Sequence, residues 1–369
     1  MTRTEDRLRE AFTDAAETVT PPLTPLTVPI ARRRPWFIPL VAAAALTLVL
    51  LGAAALVDRG HAPETDPALL AGAPSYFVTI RDGKAQVENH SGRAITLIPG
   101  RYQAVATGDH RTFFLASETS KGVYTFYRLV LSLDGTVTQP TRVPGAPLQL
   151  EEGAFETEPQ SFAANSNGTK LAVVHLGDTN AEAIVINTRT GARHTWSAPT
   201  SGWIRMAAWA DDRSLAFLWW PDSQVVTDKG TEIALLDTSA PGSDLRTART
   251  LRKGPLAIGR TNDSETNAFT FNPDGRTLTA EVQRPIDSEG GDGSSYIATV
   301  SKLTGRPTGG AARLHAEPHS LCDVLEADES GEHFLLLIDG RLARVDKGEF
   351  SWVTKAPKSE HDEYQDAAW

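Results

Sequence analysis

The chain has 369 residues, of which 40% are hydrophobic and 22% charged, and its formal net charge is -10. This length and composition predict a folded protein with a sizeable buried core rather than a disordered chain. The acidic balance argues against nucleic acid as a partner, because phosphate binding needs a basic footprint. A single cysteine, Cys322, excludes an intrachain disulfide.

Residues 1–34 predict a cytoplasmic tail that contains a short amphipathic helix. Thr2 and Glu5 fit a capping box, and Leu8 and Phe12 begin an apolar helical face. Two consecutive prolines would end this helix, because proline cannot continue it. Two interpretations stay open, a partly ordered tail or a docking helix for a soluble cytoplasmic regulator.

A long apolar run without charged side chains, Trp36 through Val57, follows Arg32-Arg33-Arg34. At about 1.5 Å per residue such a run can cross a bilayer core as a helix. We therefore predict a transmembrane helix (a signal anchor) over residues 35–57, and the preceding arginines predict a cytoplasmic N-terminus and an outer C-terminus. A cleaved signal peptide is the alternative, since Ala53-Ala54-Ala55 resembles a cleavage site. Residues 58–75 predict a linker.

From Tyr76 onward, short apolar segments alternate with turn residues, which predicts β-structure throughout. A strand–turn–strand pattern is clearest in Phe269–Ala280 and recurs along the chain. The turns of this first marker are Gly108-Asp109, Ser166-Asn167-Gly168, Asp211-Asp212, Pro273-Asp274-Gly275 and Ser330-Gly331. A second marker is a turn that ends in glycine after a short strand. Its glycines are Gly92, Gly135, Gly191, Gly242, Gly305 and Gly348.

The second marker occurs six times and the first marker only five times. The missing first strand is found at the other end of the chain, in Tyr364–Trp369, and Tyr76–Ile98 would supply the rest of that unit. A C-terminal strand that completes an N-terminal unit is typical of a closed β-propeller. We therefore predict an all-β fold over residues 76–369, a six-bladed β-propeller closed by the C-terminal strand.

Residues 76–369 resemble the TolB-like (WD-repeat-like) six-bladed propellers in the Asn-Pro-Asp-Gly-Arg-Thr-Leu turn at 272–278 and in the Thr190-Gly191 turn. The resemblance implies this fold and leaves the function open, because propellers host many unrelated activities. Thr190-Gly191 with Trp196 also resembles a repeat of quinone-enzyme propellers. Because one copy occurs, we expect Trp196 to pack between blades.

The chain carries no catalytic nucleophile motif, so we predict no catalytic residues, no enzyme activity and no cofactor. His315, Glu317 and His319 alternate so that an extended chain could bring them to one metal ion, but a solvated loop explains them as well. We therefore predict no metal site. The acidic, glycine-rich stretch 287–293 superficially suits Ca²⁺ but lacks the terminal glutamate of an EF-hand loop, and we interpret it as a flexible loop.

The links between successive blades carry acids that would lie around one rim of the propeller. The candidate binding residues of this acidic rim are Glu156, Glu158, Asp263, Glu265, Glu317, His319, Asp362 and Glu363. A negative funnel would attract a cationic ligand, a basic peptide or a metal ion. Ordinary solvated loops of an acidic domain would give the same pattern.

Taken together, these patterns predict a single-pass cell-membrane protein. Its extracytoplasmic propeller would bind an unknown protein, peptide or small cationic ligand. A second hypothesis is a transmembrane signalling protein whose N-terminal helix binds a cytoplasmic regulator such as a sigma factor. A third is a propeller hydrolase with a channel metal, which apolar inner strands such as Phe162-Ala163-Ala164 disfavour.

Overall fold

The computed structural model describes residues 74–90, 92–98, 103–132, 135–150, 161–199, 203–220, 232–253, 265–272, 275–283, 294–308, 312–314, 322–328, 330–354 and 363–369. The chain divides into two compact units, Met1–Thr65 and Asp66–Trp369, and these residues all belong to the second. Among them, no helix is long and apolar enough to cross a membrane. The predicted N-terminal helix, the predicted transmembrane helix over 35–57 and most of the predicted linker lie outside them.

The described part of the chain forms six antiparallel sheets, the blades of the propeller. The first sheet is called blade 6 because the last strand of the chain completes it, and the other sheets are blades 1 to 5 in chain order. The first three strands, which belong to blade 6, are β1 (Tyr76–Arg81), β2 (Lys84–Asn89) and β3 (Ala94–Ile98). Blade 1 contains β4 (Gln103–Ala106), β5 (Thr112–Ser120), β6 (Val123–Val130) and β7 (Thr141–Arg142), with the additional short strand β8 (Leu148–Gln149) paired to β6. Blade 2 contains β9 (Ser161–Ala164), β10 (Lys170–Leu176), β11 (Asn180–Asn187) and β12 (Arg193–Pro199).

The remaining blades follow the same order from the inner to the outer strand. Blade 3 contains β13 (Trp203–Trp209), β14 (Ser214–Trp220), β15 (Glu232–Asp237) and β16 (Arg249–Lys253), with one turn of 3-10 helix at Leu245–Thr247. Blade 4 contains β17 (Glu265–Phe271), β18 (Thr277–Gln283), β19 (Ser295–Ser301) and β20 (Ala312–Arg313). Blade 5 contains β21 (Cys322–Ala327), β22 (His333–Ile338), β23 (Arg341–Asp346) and β24 (Glu349–Trp352), and β25 (Tyr364–Ala368) follows it.

The closing strand β25 completes blade 6, whose strand order is β25-β1-β2-β3. Val78 of β1 pairs with Ala368, and Thr79 pairs with Ala367. The inner strands contact one another in the cyclic order β25, β4, β9, β13, β17, β21 and back to β25. The predicted six-bladed propeller, closed by the C-terminal strand, is therefore confirmed.

The core is divided among the six interfaces between neighbouring blades, each of which holds one cluster of buried apolar side chains. Strand β10 shows why. Leu171 and Val173 pack toward blade 1, whereas Ala172 and Val174 pack toward blade 3. A middle strand thus buries both faces, so its sequence is a continuous apolar run rather than an alternating one.

The predicted turn markers shape these interfaces. All six second-marker glycines have positive φ. Gly305 and Gly191 also lie against the preceding blade. A Cβ on Gly305 would be closer than 3.0 Å to the backbone of Leu251, and a Cβ on Gly191 equally close to the backbone of Pro144, which is nearer than Cβ atoms approach other atoms in proteins. Trp196 is 2% exposed and packs between blades 2 and 3, as expected.

Candidate functional site

A central cavity of about 440 Å³ lies among the inner strands of all six blades. It is open because these strands present mostly small side chains. The alanines that line it are Ala104, Ala163, Ala164, Ala207, Ala208, Ala210, Ala268, Ala327 and Ala367. Ligand cavities in proteins typically enclose about 300–1,000 Å³, so this cavity has the volume of a small-molecule site.

One part of the cavity wall is apolar, formed by Phe162, Met206, Phe269 and Leu325. Other lining residues carry hydrogen-bonding groups, and they come from all six blades, with Ser161, Asp211 and Thr270 on blades 2, 3 and 4. These lining residues include Gln103, His110, Glu326, Gln365 and Asp366. The wall therefore combines apolar surface with several hydrogen-bonding groups, as ligand sites in proteins typically do.

The inner strands are sheet edges, so their outward N–H groups need partners from outside their own sheet. Side chains of neighbouring blades supply them. The amide of Ala207 donates to Ser161 Oγ at 3.1 Å, and that of Ala104 donates to Asp366 Oδ2 at 2.7 Å. Asp366 and Ser161 therefore have a structural role at the cavity wall.

Blades 5 and 6 are joined in the same way, because the amide of Trp369 donates to Glu326 Oε2 at 2.5 Å. The ring Nδ1 of His110, on blade 1, lies 2.6 Å from the carbonyl oxygen of Trp369. These contacts are continuous across three blades, and they hold the cavity shape where the ring closes.

The inner strands of blades 3, 4, 5 and 6 each contain a β-bulge. The bulged residues are Met206, Asn267, Asp323 and Gln365. Met206 has φ 54, an unusual conformation for a residue other than glycine inside a strand. Bulges redirect side chains and are frequent beside functional sites, and observed backbone strain is a reason to look for function.

The turns of the first marker are fixed by short polar side chains at the start of each turn. In blade 3, Asp211 accepts hydrogen bonds from the amides of Arg213 and Ser214, and Lys302 of blade 4 pairs with it at 2.5 Å. Burial would raise the pKa of Asp211, but these hydrogen bonds and the charge of Lys302 outweigh it and lower the pKa to about 2. This turn therefore also links two blades, although it is shorter than the others and lacks glycine.

A buried polar cluster lies where β25 joins blade 6. Glu88, which is 1% exposed, accepts hydrogen bonds from Thr79 Oγ1 at 2.8 Å, Gln86 Nε2 at 2.5 Å and Tyr364 Oη at 3.2 Å. Burial raises the pKa of Glu88 despite these bonds. Burial, followed by the neighbouring Glu88 carboxylate, raises the pKa of Tyr364 to about 12.

The predicted acidic rim falls mostly outside the described residues. Six of its residues lie outside the described ranges, namely Glu156, Glu158, Asp263, Glu317, His319 and Asp362. Glu265 is the first residue of β17 rather than part of the preceding link, which corrects its predicted place, and Glu363 is half-buried next to β25. The rim stays a prediction.

The predicted metal and calcium alternatives are likewise untested. His315 and the stretch 287–293 lie outside the described ranges, as do Glu317 and His319. Within those ranges, no group of three His, Cys, Asp or Glu residues could hold a metal ion.

Sequence reasoning missed the residues that shape the cavity, above all Met206, Glu326 and Asp366. Their recognition required the register of the inner strands and the position of each bulge. The one signal of the cavity in the sequence is the alanine content of the inner strands, as in Phe162-Ala163-Ala164.

No protein-family model matches the sequence, and no curated protein matches it. Solved structures match its fold. The structure of TolB from Acinetobacter baumannii covers 80% of this chain and 65% of its own at 14% sequence identity, with a TM-score of 0.51. The match to a TolB structure from Agrobacterium tumefaciens covers 76% of this chain and 88% of that one at 14% identity, with a TM-score of 0.44. The match to the nidogen/laminin complex covers 79% of this chain and 97% of that one at 12% identity, with a TM-score of 0.49. At these identities the likeness shows the fold alone. The fold is a six-bladed β-propeller similar to that of the Acinetobacter baumannii TolB structure.

Proposed function

We propose that this protein is a membrane-anchored recognition module, whose propeller lies outside the cytoplasmic membrane and binds a partner molecule without catalysis. The observation that carries the binding role is the central cavity of about 440 Å³, formed by inner strands rich in alanine. Its lining of apolar side chains with several hydrogen-bonding groups is the composition typical of small-molecule sites.

The membrane location is supported by the sequence alone. The run Trp36–Val57 contains no charged side chain and follows three arginines. Two charges near its centre would each disfavour insertion by about 2.5–3.5 kcal/mol. A chain carrying Leu46→Arg and Leu50→Arg is therefore a matched control for the anchor.

The location is tested by protease digestion of the full chain in intact and lysed cells. We expect a membrane-bound protein whose propeller is digested in intact spheroplasts, whereas the double-arginine variant leaves the membrane fraction. A propeller that is protected until the cells are lysed would refute an outer location.

Binding is tested by a photo-crosslinking amino acid at Gln103, which lines the cavity, with Thr141 on the exposed outer strand β7 as the control position. We expect crosslinked molecules from Gln103 and not from Thr141. The absence of any difference between the two positions would refute binding at the cavity. Recovery of a cytoplasmic regulator through residues 1–34 would instead favour the signalling hypothesis.

A further inference from the structure

We propose that the outer strand β3 of blade 6 is a membrane-contact surface, with Ile95 and Leu97 against the headgroup region of the bilayer and Arg93 beside anionic headgroups. This inference rests on the proposed membrane anchor and goes beyond it, because it names the blade that meets the lipid surface. It follows from the composition and exposure of β3, from its bulge, and from the place where the preceding chain joins the propeller.

Strand β3 exposes two large apolar side chains. In the described part of the chain three large hydrophobic residues are exposed, and Ile95 and Leu97, at 45% and 59%, are two of them. The outer strands of the other blades, β7, β12, β16, β20 and β24, each contain at least one charged residue, whereas β3 reads Ala-Ile-Thr-Leu-Ile. Charged side chains are a usual protection of sheet edges. An uncharged, apolar edge therefore indicates a surface that a partner covers.

The bulge in β3 disfavours a second β-strand as that partner. Val87 pairs with Thr96 and Glu88 pairs with Ala94, so Ile95 is an extra residue that interrupts the ladder. A bulge twists an edge away from further strand pairing, and a strand of five residues offers little length for it. A lipid surface needs no backbone register, so it fits this edge better than a second sheet does.

The preceding chain joins the propeller beside the start of β3. The carbonyl oxygen of Ser75 accepts a hydrogen bond at 3.2 Å from the amide of His90, in the turn that leads into β3. Phe77 pairs with Glu88, and Glu88 pairs with Ala94. At a spacing of about 4.8 Å between neighbouring strands, the start of β3 lies about 10 Å from β1.

The connection from the proposed anchor to β1 is short. The anchor ends at Val57, and residues 58–74 precede Ser75. A flexible chain of this length has a root-mean-square end-to-end distance of about 20–25 Å. Tethers of this kind give effective concentrations on the order of millimolar. A contact between β3 and lipid can therefore persist even when it is too weak to bring an untethered protein to a membrane.

The charge around β3 suits anionic headgroups. Arg93 is exposed, and no Asp or Glu occurs from Asn89 through Gly108 in a chain whose net charge is -10. The preceding Glu88 is buried and hydrogen-bonded. Anionic lipids attract arginine close to the surface and repel acidic protein surface. An acid-free edge with an arginine at its start is thus a part of this acidic domain that can approach such lipids.

The experiment measures how close β3 lies to the headgroups in the full chain, held in nanodiscs that contain phosphatidylglycerol. A nitroxide spin label is attached at Leu97→Cys, and at Thr250→Cys on the exposed strand β16 of blade 3, across the ring, as the control. Both chains carry Cys322→Ala so that one thiol reacts. Nickel chelated to lipid headgroups should relax the label at position 97 at least threefold more than the label at position 250. Equal relaxation would overturn the inference.

Two variants test the contact itself with the label kept at position 97. Ile95→Gln removes an apolar side chain and Arg93→Gln removes the charge, so each should lower the relaxation at least twofold. Thr141→Gln on β7 should leave it unchanged. Thermal midpoints near that of the parent chain show that the propeller is intact. Unchanged relaxation in both folded variants would overturn the inference.

Nanodiscs that hold two chains distinguish lipid from a second copy. Dipolar broadening between two labels at position 97, without relaxation by the lipid-bound nickel, would show that a second copy covers β3 and would overturn the inference. A chain that enters nanodiscs while position 97 stays as far from lipid as position 250 shows that the inference is wrong and the anchor stands. If the parent chain associates with nanodiscs no better than the Leu46→Arg and Leu50→Arg variant, the anchor itself fails.

Discussion

Replacing Gly305 by alanine should weaken the interface between blades 3 and 4. The residue has φ +64, and an L side chain in this region costs about 1–2 kcal/mol. Its Cβ would also overlap the carbonyl oxygen of Leu251, a backbone atom that cannot rotate away. Forcing extra volume into a packed contact costs about 1–3 kcal/mol. The two effects together predict a loss of about 2–5 kcal/mol in the free energy of unfolding.

Gly348→Ala separates these effects. Gly348 ends the equivalent turn of blade 5 and has φ +89, but a Cβ there would meet no atom within 4 Å. Only the conformational cost of about 1–2 kcal/mol is expected. Denaturant unfolding of the full chain, followed by tryptophan fluorescence, measures both variants. Equal losses in the two would show that the close approach between blades contributes nothing, and would refute the reasoning.

Three further predictions concern polar contacts. Because Lys302 and the turn amides lower the pKa of Asp211 to about 2, its contribution to stability is present above its ordinary value of 3.8 and is lost as the pH falls toward 2. Since its side chain is 48% exposed, Asp211→Asn should cost only about 0.5–1 kcal/mol at pH 6, and the difference from the parent chain should disappear near pH 2 in thermal melts. Burial raises the pKa of Glu88 above 4.5, so its stabilising effect is present below that value and is lost as the pH rises. Glu88→Gln should therefore gain stability relative to the parent chain between pH 4 and pH 8, and a constant difference would contradict this. Ser161→Ala leaves the amide of Ala207 without its acceptor and should cost about 1–3 kcal/mol in denaturant unfolding, whereas Ser161→Thr should cost less.

The ring could be predicted from the sequence because its markers are local. A turn such as the one around Gly275, which has φ +61, requires particular residues within a few positions. Counting such turns therefore gave the number of blades, and Tyr364–Trp369 gave the closing strand. The cavity could not be predicted, because its wall is formed by residues far apart in the sequence. The bulge at Met206 and the bond between Asp366 and Ala104 arise only when the blades meet.

Closure of the ring is a separate energetic problem, because β25 reaches β1 across almost the whole propeller. Fixing the ends of a loop of roughly three hundred residues costs about 5 kcal/mol by the logarithmic dependence on loop length, plus a constant. Beyond its ladder with β1, the closing segment makes several contacts with other parts of the propeller. These include the Tyr364 Oη bond to Glu88, the Gly83 amide bond to Gln365 Oε1 at 2.7 Å, and the Trp369 Nε1 bond to the Pro74 carbonyl at 3.2 Å.

Each such bond contributes about 0.5–1.5 kcal/mol, and buried Ala367, Ala368 and Trp369 add apolar burial. The side-chain bonds and this burial together are of the size needed to offset the loop entropy. The polar cluster around Glu88 is therefore best understood as part of the closure rather than as a binding site. The proposed ligand site is instead the central cavity.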